Sequence, residues 1–168
     1  MISMTSLIVG LSAIIFYLLS AWTQNNAPTN QVFKRGYALS FAAWILQGFH
    51  LYLHLFTKAG LLLDLGATLS LTAWAVIGVI LLSSMRNPVS NLLVFAAPIA
   101  ALAIMVDMFS IPKFEGRQFS SGILLHIITS ILGYALFAVA ACQSVLLSVR
   151  ARASKTPTLV RVRVRVWG

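Results

Sequence analysis

The stretch 122-GILLHIITSILGYALFAVAAC-142 decides the fold class. It holds no charged residue, and it meets the roughly 20 apolar residues that a helix needs to cross the hydrocarbon of a bilayer. A segment this apolar reads as a membrane span. Yet His126 sits near its start, and Ser130, Gly133, Tyr134 and Phe137 follow at helical spacing on the same face.

The rest of the chain agrees with that reading. Of 168 residues, 60% are hydrophobic and 9% charged, against about 25% charged in an ordinary soluble domain. The mean hydropathy is +0.93. The expected fold class is therefore all-α, a polytopic transmembrane helical bundle of about five spans. The spans are read as Met4 to Trp22, Tyr37 to Phe56, Leu62 to Ser83, Leu92 to Phe109 and Gly122 to Val149. Pro98 is expected to kink the fourth. The first segment has no Lys or Arg before its apolar run, so it reads as a retained span rather than a signal peptide. Residues 1–149 form one transmembrane domain in this reading, followed by a basic tail over 150–168.

Net charge is +9, from 12 Lys and Arg against 3 Asp and Glu. Arg150, Arg152, Lys155, Arg161, Arg163 and Arg165 all follow Val149, which favours a cytoplasmic flank facing anionic lipid over a nucleic-acid partner. Lys and Arg in short flanks set orientation. With the N-terminus outside, the inner side also gains Lys34, Arg35 and Arg86, and the outer side keeps Lys58, Lys113 and Arg117. The expectation is a periplasmic N-terminus and a cytoplasmic C-terminus in a bacterial inner membrane. The tail repeat "VRVRVRV" has three readings: an exposed β-like strand, a basic arm on lipid headgroups, or a non-native sequence. Cys142 is the lone cysteine, so no internal disulfide forms, and it reads as a small apolar residue of a span.

Ionisable residues inside a membrane are expensive and are candidates for function. In the assigned topology, all three histidines and all three acids fall in the outer half. Gln47, His50 and His54 lie at i, i+3 and i+7, on one face. Asp64 and Asp107 stand at span ends, where the bland reading is solvation or helix capping. Neutral imidazole is a common metal ligand, and haem iron takes axial imidazole within apolar, aromatic walls. Two histidines from separate helices suit an iron between them. Phe49, Tyr52, Phe56, Trp74 and Tyr134 are candidate walls. Zinc on His50 and His54 at i, i+4 is a weaker alternative, because the sequence offers no obvious third ligand. For each histidine the competing reading is a hydrogen bond to a neighbouring helix.

The run "GILLHIITSILGYALFAVAACQSVLL" resembles the cytochrome c assembly family of inner-membrane proteins, through His126, Ser130, Tyr134 and Ala135. Upstream, "WILQGFHLYLHLF" and "GLLLDLGATLSLTAWAVIGVILL" are similar to the shorter branch of that family, with His50 the better match to its earlier histidine. The similarity spans roughly residues 1 to 150. It implies haem as cofactor, His126 and His50 as candidate iron ligands, and Ser130 and Tyr134 beside them. It also implies partners in cytochrome c maturation. A Trp-rich outer segment of the WGxxWxWD type is missing, and the chain is expected to be a truncated copy. The implied activity is binding and presentation of haem, not catalysis. No nucleophile–base pair, phosphate loop or glycine-rich fingerprint supports an enzyme. The alternatives are a non-catalytic membrane scaffold or assembly factor that binds partners through its helices, and a transporter or channel using Asp64 and Asp107.

Overall fold

A computed structural model of the chain describes residues 4–26, 30–57, 60–61, 63–85, 92–110 and 118–154. Among the described residues five helices carry the fold: α1 (Met4–Asn25), α2 (Asn30–Leu55), α3 (Leu65–Ser84), α4 (Leu93–Phe109) and α5 (Ser121–Ser154). Three of these stretches, Met4–Asn25, Leu65–Ser84 and Ser121–Val145, are long and apolar enough to cross a membrane. α4, with 17 residues, is apolar but shorter. α2 is more mixed: it takes in Lys34 and Arg35 at its start and Gln47, His50 and His54 further on.

The helix boundaries follow local chemistry. α3 opens on Asp64, whose carboxylate accepts the Ala67 backbone N–H at 2.7 Å, so the capping reading of this acid holds. α4 continues as one helix through Pro98. α5 runs past Val149 to Ser154, so the basic segment begins as helix. The Arg-Val repeat lies outside the described residues. One element departs from an all-helical reading: β1 (Phe56–Thr57) and β2 (Gly60–Leu61) pair antiparallel and join α2 to α3. Gly60 has φ 127°, a conformation that a side chain resists.

α1 packs on α2 and α4, and α3 packs on the same two helices, closing a four-helix bundle. α5 stands outside it, against α3. The core is built of small and aliphatic residues such as Ala13, Ala43, Ile77, Leu93, Ala97 and Ile104. Small residues matter in lipid, where helix association rests on close van der Waals packing rather than on expulsion of water.

A polar seam runs through this core, and most of its groups pair with one another across helices, as an apolar environment favours. Tyr17 donates to Gln47 Oε1 at 2.7 Å, and Gln47 Nε2 donates to the Ser70 carbonyl at 3.0 Å. Towards the α1–α2 turn, Ser20 donates to the Gly36 carbonyl at 2.7 Å and receives Gln24 Nε2 at 2.8 Å. α2 and α3 are clamped by a reciprocal pair. Trp44 Nε1 donates to the Trp74 carbonyl and Trp74 Nε1 to the Trp44 carbonyl, both at 2.9 Å. Their rings stack with centroids 4.8 Å apart and planes 6° off parallel.

Candidate functional site

The alternation of helix direction gathers the start of α1, the end of α2, the start of α3, the end of α4 and the start of α5 at one end of the molecule. The sequence places His50, His54, Asp64, Asp107 and His126 there. The helical periodicity of α2 turns Gln47 and His50 fully inward, and His54 follows one turn later, 11% exposed. α4 delivers Asp107 to the same point with no exposure at all. α3 comes close enough to fix it: a Cβ on Gly66 would fall 2.8 Å from the Asp107 Cα, so a larger residue there would push the end of α4 away.

Each ring has defined neighbours. His50 Nδ1 is 2.9 Å from the Ser6 carbonyl and 3.1 Å from the Ser6 hydroxyl. A carbonyl only accepts, so this nitrogen carries a hydrogen and donates it. His50 Nε2 faces Asp107 Oδ2 at 3.2 Å. The other carboxylate oxygen, Oδ1, lies 3.0 Å from His54 Nδ1. That second pair is within ion-pair reach but misaligned for a hydrogen bond, and both of its atoms are buried without a hydrogen-bond partner. A single carboxylate thus lies between two imidazoles. The bland reading of Asp107 as a solvated or capping residue is corrected: it is fully buried, and its two oxygens face histidines of another helix.

His126 has a different setting. It is exposed on α5, as are Gly133, Tyr134 and Phe137, and Ser130 is half-buried. A Cβ on Gly133 would meet nothing within 4 Å. α5 instead buries Ala135 and Val139. The face defined by His126, Ser130 and Tyr134 is therefore uncovered, while His50 turns both nitrogens into the bundle. The fold does not bring His50 and His126 together across a common centre. Nor do the candidate aromatic walls converge on His50, since Phe49, Tyr52, Phe56 and Tyr134 are all exposed and Trp74 stacks on Trp44.

The residues that do meet are His50, His54 and Asp107, whose ligand atoms all lie within 4.8 Å of one another. Reading the sequence found the shared face of His50 and His54 and placed Asp107 at the same membrane level. It did not join the three, because the contact between α2 and α4 is tertiary. No family model, no curated protein and no solved structure matches the chain.

A second feature is apolar. α3, α4 and α5 border a groove of about 750 Å³ lined by Leu69, Val76, Phe95, Ile99, Val139 and Cys142 among others. Its walls offer almost no hydrogen-bonding group, so it suits lipid chains or another apolar helix rather than a polar solute.

Proposed function

We propose that the chain is a membrane protein of five spans that binds or presents haem near the outer face, in the manner implied by its resemblance to the cytochrome c assembly family. The observation that supports this reading best is the exposure of His126 on the uncovered face of α5, with Ser130 and Tyr134 on that same face. An accessible imidazole in apolar surroundings is what an axial ligand to haem iron requires. The iron's second ligand then comes from outside the bundle, because His50 is engaged by Ser6 and Asp107. In this reading the N-terminus is periplasmic, the C-terminus is cytoplasmic, and the partners are proteins of cytochrome c maturation.

The test is an absorption spectrum of the purified chain with and without added haem. The expected result is a Soret band in the wild type that is strongly reduced in His126→Ala. A wild type that takes up no haem even on reconstitution overturns the reading.

A second reading is a non-catalytic scaffold or assembly factor, favoured by the same uncovered α5 face and by the apolar groove beside it. Under this reading, crosslinkers placed at Gly133 and Phe137 capture one dominant membrane partner. The double variant His50→Ala/His126→Ala still complements a deletion. Loss of complementation with normal insertion counts against it.

A further inference from the structure

We propose that His50, His54 and Asp107 form a binding site for a divalent first-row transition metal ion. The argument begins with the proton on His50. Its Nδ1 lies 2.9 Å from the Ser6 carbonyl, which fixes a hydrogen there; in the neutral ring Nε2 is then the lone-pair nitrogen. That lone pair faces Asp107 Oδ2 at 3.2 Å, and a carboxylate oxygen is also an acceptor. Two acceptors this close need a cation between them, either a proton or a metal ion. The arrangement repeats on the other oxygen, where His54 Nδ1 and Asp107 Oδ1 face each other at 3.0 Å and neither has a hydrogen-bond partner.

A proton on Nε2 satisfies the first contact but leaves the second misaligned. A metal ion satisfies both. Bonds of about 2.0–2.1 Å to nitrogen and oxygen place neighbouring ligand atoms about 2.9–3.4 Å apart, between octahedral and tetrahedral angles. The two carboxylate–imidazole separations fall in that interval, and the set as a whole, spread over up to 4.8 Å, closes on an ion by a small inward turn of the rings. The surroundings also suit an ion. A metal-bound histidine characteristically donates its other ring N–H to a backbone carbonyl or carboxylate, which fixes the tautomer; Ser6 provides that carbonyl to His50. Two imidazoles and one carboxylate favour zinc, iron(II) or manganese over calcium or magnesium, and three protein ligands leave a position for water or a further ligand. Asp107 is the third ligand that the i, i+4 histidine pair lacks in the sequence.

The experiment is a titration of the full-length chain in detergent with Co²⁺ as the spectroscopic probe. Cys142→Ser serves as background, because the exposed thiol is a competing ligand. The expected result is uptake of one equivalent with nitrogen/oxygen-type d–d bands, displaced by Zn²⁺. His54→Ala, at the least buried of the three ligands, should weaken binding by at least the roughly 10–100-fold that loss of an outer-shell partner costs. Asp107→Asn should do the same. If Asp107→Asn fails to insert, His54→Ala still decides. Failure of the parent to bind stoichiometric Co²⁺, or unchanged binding in His54→Ala, overturns the proposal and leaves a proton-bridged cluster. The inference does not rest on haem handling: it is read in d–d bands, and haem binding in the Soret region.

Discussion

Asp107 is a fully buried carboxylate. A carboxylate with no exposure to solvent needs a cation or a proton beside it, and its two oxygens face His50 and His54, the groups able to hold one. Removing one member of a buried charge pair typically costs about 3–5 kcal/mol, because the remaining groups stay buried without their partner. Asp107→Ala is therefore expected to lower stability by about that amount, and His54→Ala by less, since His54 retains some exposure. Unfolding in SDS, with each variant compared with wild type, measures both; equal losses would show that Asp107 is not the hub. At this scale the sequence was partly legible. The i, i+3, i+7 relation put Gln47, His50 and His54 on one face as read, and the fold turns that face inward, with Gln47 and His50 buried. Asp107 was misread because a carboxylate at a span end looks the same in sequence whether it faces solvent or two histidines on another helix. His126 could not be assigned to an inner or outer face at all, because α5 is apolar nearly all round and offers no polar stripe to orient it.

Among the elements, α3 shows how local and tertiary signals combine. Its start was legible, since Asp64 three residues before Ala67 is a capping arrangement. Asp64→Ala should cost about 1 kcal/mol through loss of the cap, and Asp64→Asn much less because the amide oxygen still accepts. Thermal unfolding of the two variants side by side separates the cap from a pure charge effect. The clamp to α2 was not read from sequence, although a trace of it is present in the repeat of WILQG at 44–48 and WAVIG at 74–78. In each, the glycine makes room for the other helix's tryptophan: a Cβ on Gly48 would lie 3.0 Å from Trp74 Nε1, and one on Gly78 3.1 Å from Trp44 Nε1. The two indoles stack and exchange hydrogen bonds, so they should act as a unit. Trp44→Phe and Trp74→Phe are expected to be non-additive, with a coupling of about 0.5–1.5 kcal/mol in a double-mutant cycle. A coupling near zero would mean that each indole packs independently.

For the whole molecule, the arrangement separates two kinds of charge. Lys34 and Arg35 are exposed on the first turns of α2, and Arg152 is exposed on the last turns of α5, so these cations share one end. Asp64, Asp107, His50 and His54 occupy the opposite end. The alternation was legible because each connection between apolar segments is short, which forces neighbouring helices to run antiparallel. The closure of α1 to α4 into a bundle with α5 outside was not, since five apolar segments can pack in several cyclic orders and hydropathy does not choose among them. The cationic end is predicted to face the cytoplasm, because positive residues in short flanks resist translocation. A fluorescent-protein fusion after Ser154 should then be bright, and an alkaline phosphatase fusion at the same point inactive. Replacing Lys34, Arg35 and Arg152 with glutamine should weaken that preference and yield a mixed population, as the bias resides in the cations and not in helix length. An active phosphatase fusion on the wild-type chain would invert the assignment. The histidine end would then face the cytoplasm, which would count against the proposed presentation of haem near the outer face.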